Sequence, residues 1–223
     1  MTTETELVAT RLSLQAVAEH VLCAARHRAT GRIGLRAAPG GFATPPFPGG
    51  HGLQTLAVDG TDLVRSDDRG SERTPLTTVA DAARLAEIDA GAPAEVFTPT
   101  TPLDPSARLA IDPAAAAHLA RWWGLVDDAL AAFRAEHAAD EPTETQLWPE
   151  HFDIAATVRE VNYGGSPGDA AHPLPYLYIG PWSPPAPDGR FWNAPFGALV
   201  PAHEVPTVEA ALALFEQGRA LLT

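Results

Sequence analysis

The fold of this chain is best predicted from one aromatic-rich stretch, residues 146–200, which reads QLWPEHFDIAATVREVNYGGSPGDAAHPLPYLYIGPWSPPAPDGRFWNAPFGALV. It contains three of the five Trp, all three Tyr and three of the eight Phe. From residue 150 apolar side chains alternate with polar or small ones, which indicates a half-buried strand. Aromatic residues mixed with His, Asp, Asn, Gly and Pro are also typical of a shaped ligand pocket. We therefore expect a sheet here, with a site on one of its faces.

Alternation along a strand sends successive side chains to opposite faces of the sheet. The predicted core face carries Phe152, Ile154, Leu177 and Ile179. The opposite face carries His151, Asp153, Tyr176, Tyr178 and Trp182. The second set combines aromatic rings with titratable groups, so it is where we expect the site.

His151 and Asp153 lie two residues apart, so the pattern predicts that they share one face. An imidazole beside a carboxylate can exchange a proton, bind a metal or orient a substrate; equally, this face can be a solvated surface. The HxD pattern also begins the two-histidine, one-carboxylate triad of non-haem Fe(II) oxygenases, with His203 as the third ligand or His172 in its place. Such oxygenases need many strands to close a jelly roll, whereas this sequence has a long central helix and few strand-like runs.

Further residues complete the predicted ligand site. Aromatic walls are expected from Tyr176, Tyr178, Trp182 and Trp192, with Asn162, Tyr163 and Asn193 orienting a ligand and His51 contributing from an earlier loop. A homodimer interface explains the aromatic residues about as well as a pocket wall does. Residues 162–169, NYGGSPGD, are expected to form a turn-rich loop closed by the Asp169 side chain.

Working outward, the rest of the chain alternates helical and strand-like patterns. Residues 7–28 have a helical period, Asp59-Gly60 marks a hairpin, and Thr78 begins a helix that extends to about residue 90. Asp112 caps a long helix from Pro113 to about residue 139, and residues 207–222 form a last helix. These patterns predict an α+β fold of antiparallel sheets with packed helices, and the order of the elements also suggests two αβββα-like halves.

The predicted organisation has three parts. Residues 1–95 contain a helix, a small antiparallel sheet and a helix; residues 96–111 form a Pro-rich connector; residues 112–223 contain the long helix, the aromatic-rich sheet and the C-terminal helix. We expect these parts to form one compact unit.

Three metal-capable side chains, His20, Cys23 and His27, recur at helical spacing on the first helix, opposite its apolar stripe. Thiolate and imidazole suit zinc or copper, and either histidine could serve Cys23 as a base. An incidental exposed cluster or an interface remains the alternative. Cys23 is the only cysteine, so the chain forms no internal disulfide, which agrees with a reducing compartment.

Composition excludes several classes of function. The formal net charge is −13, from 28 acidic against 15 basic residues, and every basic residue is Arg. An acidic surface is repelled by nucleic acids and by anionic membranes, so we expect neither as a partner. The absence of Lys excludes Schiff-base catalysis and a P-loop. No apolar run spans a bilayer and no secretory signal is present, which predicts a cytoplasmic protein.

Four motifs in order resemble a family of uncharacterised bacterial proteins of unknown function. They are WPEHFDIA from Trp148, NYGGSPGD from Asn162, LPYLYIGPW from Leu174 and FWNAPFGALVPA from Phe191. The family carries a His where this chain has Glu150, and its WHTEGW stretch is WNAPFG here, with a His and a Glu lost. The resemblance implies the location of a site in this half of the chain, without a reaction.

The first hypothesis from the sequence is a small cytoplasmic enzyme acting on a small organic molecule. In it, His151 and Asp153 act as acid and base or, with His203, bind a divalent metal. The second is a non-catalytic small-molecule-binding or homodimeric module that uses the same aromatic face. The third is the Fe(II)-type oxygenase.

Overall fold

A computed structural model of the chain describes residues 2–187 and 189–222. The fold is α+β, with two antiparallel sheets and packed helices, which confirms the predicted class. The chain divides into two compact units: Met1–Arg121 with Leu147–Phe152, and Trp122–Gln146 with Asp153–Thr223. The predicted connector, residues 96–111, lies within the first unit.

The first unit begins with a long helical segment whose middle is not α-helical. Helix α1 (Glu4–Val17) starts at a capping box in which Thr3 and Glu6 bond to each other's backbone. A π-helical turn (Ala18–Cys23) follows, and α2 (Ala24–Thr30) ends at Gly31, whose φ of 71° suits glycine.

The first sheet follows α2 along the chain. Its strands are β1 (Arg36–Ala38), β2 (Gly41–Ala43), β3 (Phe47–Gly49), β4 (Gly52–Asp59), β5 (Asp62–Asp67) and β6 (Gly70–Pro75). Their order is β1-β2-β4-β5-β6, with β3 also paired to β4. Asp59 pairs with Asp62, so the predicted hairpin at Asp59-Gly60 is confirmed.

Two helices begin at the predicted caps. Thr78 caps α3 (Val79–Leu85), but this helix ends earlier than residue 90, since Glu87 adopts a left-handed φ of 56°. Asp112 accepts a 2.8 Å hydrogen bond from the N–H of Ala115 at the start of α4 (Pro113–Glu136). From Trp122 onward, α4 belongs to the second unit.

The second sheet contains β7 (Gln146–Leu147), β8 (Ile154–Val158), β9 (Val161–Ser166), β10 (Tyr176–Pro181) and β11 (Ala198–Pro201). Its order, β11-β10-β9-β8-β7, is a simple antiparallel meander. The last helix, α5 (Val208–Ala220), starts at the Thr207 cap.

One face of the second sheet packs on α4 and α5. The Tyr163 ring lies 4.5 Å from that of Phe133 in α4 and 5.7 Å from that of Phe215 in α5. Gly165 lies directly under α4, since a Cβ there would come within 2.5 Å of Val126 Cγ2. This helix-covered face contains Ile154, Leu177 and Ile179, as alternation predicted.

Two sequence predictions for this region are wrong. Strand β8 begins only at Ile154, because Phe152 takes a positive φ of 58° that interrupts the extended backbone. Most of the predicted loop at residues 162–169 is strand β9, and of its three glycines only Gly168 has a positive φ. Glycine is used at 164 and 165 for close packing rather than for turning. None of the helices in the described residues is long and apolar enough to cross a bilayer.

Candidate functional site

The polar face of the second sheet is the face opposite α4 and α5. It carries Thr157, Asn162, Ser166, Tyr176 and Tyr178, with Asp153 just before β8. Strand register places these residues together, because Tyr178 pairs with Gly164 and Tyr176 pairs with Ser166. A Cβ at Gly164 would lie 2.8 Å from the Tyr178 hydroxyl oxygen and 2.6 Å from the Ile154 carbonyl oxygen. Glycine at 164 therefore makes room for the Tyr178 ring across the face.

Tyr178 is held by Asp153. Its hydroxyl donates a hydrogen bond to Asp153 Oδ2, and the Asp153 residue is buried. Burial raises the pKa of Tyr178 well above its usual value, and the Asp153 charge raises it further. At neutral pH the phenol therefore stays protonated and serves as a hydrogen-bond donor.

Tyr176 forms a second tyrosine–carboxylate pair two residues away on β10. Its hydroxyl lies 2.5 Å from Asp169 Oδ2, and burial raises the pKa of this tyrosine as well. Asp169 Oδ1 accepts from the N–H groups of Ala171 and His172 at 2.6 and 2.8 Å, which confirms the predicted Asp169 cap. Partial burial acts to raise the pKa of Asp169, but the hydrogen bonds from Tyr176 and the backbone outweigh it and the pKa falls. Asp169 is therefore anionic at neutral pH.

Exposed aromatic rings flank these pairs. Trp182 is 65% exposed and Phe196 is 40% exposed, and the Phe196 ring lies 6.4 Å from the Tyr178 ring. The Trp182 indole N–H lies 3.4 Å from Asn162 Oδ1, which also accepts a 2.8 Å hydrogen bond from the Thr157 hydroxyl. The face thus combines accessible aromatic surface with oriented polar groups.

His151 does not lie on a strand as predicted. It lies in the turn before β8 and is exposed. Because β8 begins only at Ile154 and Phe152 has a positive φ, the prediction of one regular strand through His151 and Asp153 is wrong, while their joint role in a site stays a prediction. His151 belongs to the first unit and Asp153 to the second.

The predicted metal ligands are not assembled among the described residues. His203 is exposed in a single 3-10 turn (Ala202–Glu204), with its Nε2 4.0 Å from a Glu204 carboxylate oxygen. Within residues 2–187 and 189–222, the group of three metal-capable side chains with mutually close ligand atoms is a different one, Glu136, His137 and Glu216. His172, the alternative third ligand, is exposed with its ring 5.6 Å from that of Tyr176.

Tyr163 lies in the helix-packed core rather than on the polar face. It is 1% exposed, and burial raises its pKa to about 12. Tyr163 and Asn162 are adjacent on β9, so alternation itself requires that they point to opposite faces. The structure therefore places Tyr163 on the face opposite Asn162, whereas the sequence prediction had both residues orienting one ligand.

Three other residues were predicted to contact a ligand: Asn193, Trp192 and His51. The Asn193 side chain bonds to both the N–H and the carbonyl of Leu199, each at 2.9 Å, and so closes the loop before β11. Trp192 is buried, with its ring 4.9 Å from that of Phe191. His51 lies half-buried in the turn between β3 and β4 of the first unit.

The residues predicted as an exposed cluster on the first helix are largely buried. His20 and Cys23 are at most 1% exposed, and burial raises the pKa of the Cys23 thiol to about 12. His20 Nδ1 accepts from the Ala92 N–H at 3.1 Å, and its Nε2 lies 3.0 Å from the Thr101 carbonyl oxygen. Both ring nitrogens of His20 are thus engaged in the fold, and a thiol that stays protonated at neutral pH is a poor nucleophile.

Sequence reasoning missed the buried carboxylate beside them. Glu19 is 0% exposed and accepts hydrogen bonds from the Thr100 N–H at 2.8 Å, the Thr101 N–H at 3.0 Å and the Thr101 hydroxyl. Glu19 and His20 are consecutive residues of the π-helical turn, and both side chains hydrogen-bond to Thr101. We interpret this cluster as structural, because its acceptors are saturated by the protein itself.

Two residues of the polar face were also missed, Ser166 and Phe196. Thr157 was not predicted as a site residue, although alternation from Asp153 places it on the same face. Ser166 and Phe196 depend on strand register and loop path, for which the sequence has no local pattern.

None of the protein-family models, curated proteins or solved structures with which the chain was compared matches it. The resemblance to the uncharacterised bacterial family therefore stays a prediction. Function has to be argued from the polar face itself.

Proposed function

We propose that the protein binds a small organic molecule on the polar face of the second sheet. The observation that carries the proposal is the exposed Trp182 ring beside Asn162, together with the 40% exposed ring of Phe196, which lies 6.4 Å from the Tyr178 ring. Monomeric proteins keep large aromatic side chains exposed together mainly where a ligand or partner covers them.

Binding is better supported than the acid–base chemistry of the first hypothesis. Its proposed base, His151, lies in an exposed turn outside the strand that begins after Asp153. The two tyrosine hydroxyls donate to Asp153 and Asp169, and their raised pKa values keep them protonated. These groups can orient a ligand, but a proton-transfer step would first have to break their mutual hydrogen bonds.

The charge of the face favours a cationic ligand. Asp153 and Asp169 place two carboxylates among the rings of Tyr176 and Tyr178, and the formal net charge of the chain is −13. Aromatic faces next to carboxylates attract alkylammonium groups through cation–π and Coulomb interactions, worth about 0.5–2 kcal/mol per ring. We propose amines and quaternary ammonium compounds as the ligand class.

The test is a thermal-shift screen of amine-bearing, neutral and anionic metabolites, followed by calorimetric titration of each compound that raises the melting temperature. Trp182→Ala should weaken binding about 2- to 30-fold, the range that about 0.5–2 kcal/mol implies. Leu53→Ala is the matched control, since Leu53 is 61% exposed but lies on β4 of the first unit.

Two outcomes would count against the proposal. Equal affinity of the Trp182→Ala variant and the wild type would show that ligands bind elsewhere. A hit list composed of anions would contradict the proposed charge preference. Consumption of a bound compound, followed by mass spectrometry, would favour an enzyme over a binding module.

A further inference from the structure

We propose that Glu136, His137 and Glu216 form a binding site for a divalent transition-metal ion, with zinc as the best-suited ion. The site lies at the C-terminal end of α4 and on α5, apart from the ligand face proposed above. It uses none of the residues that the sequence predicted as metal ligands.

The geometry brings three ligand atoms together from two helices. His137 Nε2 lies 2.7 Å from Glu216 Oε1, and one ligand atom from each of the three residues lies within 4.8 Å of the others. Small movements of the carboxylates would bring all three atoms around one ion at zinc–ligand distances of about 2.0–2.2 Å. Glu136 is exposed, so its carboxylate has room to move inward.

The imidazole is already positioned. The His137 ring packs edge-on against the Phe133 ring, with 4.7 Å between the ring centres. The backbone N–H of His137 donates a 3.1 Å hydrogen bond to the Phe133 carbonyl oxygen. His137 is only 17% exposed in its side chain. A ligand held by packing loses little side-chain entropy on binding, which favours affinity.

The neighbouring charges also favour a cation. Two arginines at this end of the second unit are paired with Asp140: Arg159 at 2.5 Å and Arg219 at 2.6 Å. Asp140 offsets one of the two guanidinium charges, and the carboxylates of Glu136 and Glu216 leave this group of charges with one net negative charge, which favours a cation. One imidazole nitrogen with two carboxylate oxygens suits zinc, whereas calcium and magnesium prefer oxygen ligands alone.

Three protein ligands leave a coordination position for water or for an external ligand. Structural zinc sites usually have four protein ligands, and sites with three typically bind a water molecule. The chemistry therefore points to an open site on the surface of the second unit.

The site can be tested on the tag-free full-length chain after removal of metals by a chelator. We expect one Co²⁺ ion to bind per chain with the visible absorption of four-coordinate cobalt, and Zn²⁺ to displace it. Glu136→Gln should weaken Zn²⁺ binding at least about tenfold, by analogy with the loss seen for changes next to metal sites. Because Glu136 is exposed, this variant tests the site without disturbing the fold.

His137→Ala should abolish the cobalt spectrum, with circular dichroism used to check that the variant is folded. The matched control is His203→Ala, which removes an exposed histidine 4.0 Å from the Glu204 carboxylate, and it should leave binding unchanged. The proposal is overturned if wild-type protein binds no stoichiometric Co²⁺ or Zn²⁺. It is equally overturned if binding survives unchanged in Glu136→Gln and His137→Ala.

Discussion

Gly165→Ala should loosen the packing of α4 on the second sheet. A Cβ at this position would lie 2.5 Å from Val126 Cγ2 and 3.1 Å from Trp122 Cζ2, whereas carbon atoms in contact are normally about 3.5–4.0 Å apart. The methyl group can fit only if α4 or β9 moves by about 1 Å, because the β-branched Val126 has few alternative rotamers in a helix. Overpacking of this kind costs about 1–3 kcal/mol.

The assay is urea unfolding followed by tryptophan fluorescence and circular dichroism. We expect the transition midpoint of Gly165→Ala to fall, with the slope unchanged if the unfolded state is the same. Gly124→Ala is the matched control, since Gly124 lies in α4 and a Cβ there meets no atom within 4 Å. It should raise stability by about 0.5–1 kcal/mol, because alanine is the better helix former.

A double variant isolates the cause. Combining Gly165→Ala with Val126→Ala removes the methyl groups that the new Cβ would meet, so the pair should show a favourable coupling energy of about 0.5–3 kcal/mol. This account of how α4 packs on the sheet would be refuted by a Gly165→Ala variant as stable as the wild type. It would also be refuted by a double variant in which the two changes in stability simply add.

Two further predictions concern the buried groups of the first unit. Glu19→Gln should lower the free energy of unfolding by about 2–5 kcal/mol, because an amide cannot accept from all the donors of Thr100 and Thr101. Urea unfolding measures this loss of stability. The control is Glu144→Gln in an exposed loop, which should change the free energy of unfolding by less than about 0.5 kcal/mol. An equal loss in both variants would contradict the prediction for Glu19. At pH 8 the native Cys23 thiol should react with a disulfide reagent at least about a thousandfold more slowly than in unfolded protein, because raising its pKa from 9.0 to about 12 lowers the thiolate fraction by about that factor and burial also blocks access. The stability gained by keeping this thiol neutral is present below pH 9 and is lost as pH rises from 9 towards 12, so a urea midpoint constant over that range would contradict the buried thiol.

Elements with strong local patterns were predicted well. Thr78 and Asp112 begin helices as expected, since their side chains satisfy backbone N–H groups within a few residues. Asp59 and Asp62 close a hairpin whose turn contains Gly60 at a positive φ of 63°, which is also a local signal. The polar face was predicted in part, because alternation within β10 correctly grouped Tyr176 with Tyr178.

The errors arose where the backbone departed from a regular period. A positive φ at Phe152 separated His151 from the strand, and alternation read across that residue misplaced the histidine. The π-helical turn, together with the segment that covers it, buried His20 and Cys23, which a uniform helical period placed on an exposed face. Such departures depend on contacts with residues far away in the chain.

The sequence by itself determined the α+β class, the helix caps, the hairpin and the identity of the aromatic strands, because each depends on residues a few positions apart. Only the tertiary structure decided that α4 and α5 are the helices that cover the apolar face of the second sheet, that Tyr163 packs against them, and that Tyr178 meets Asp153. It also brought Glu136 and His137 next to Glu216, about 80 residues later in the chain. Contacts over such distances arise from packing of the whole unit, and no local pattern in the sequence encodes them.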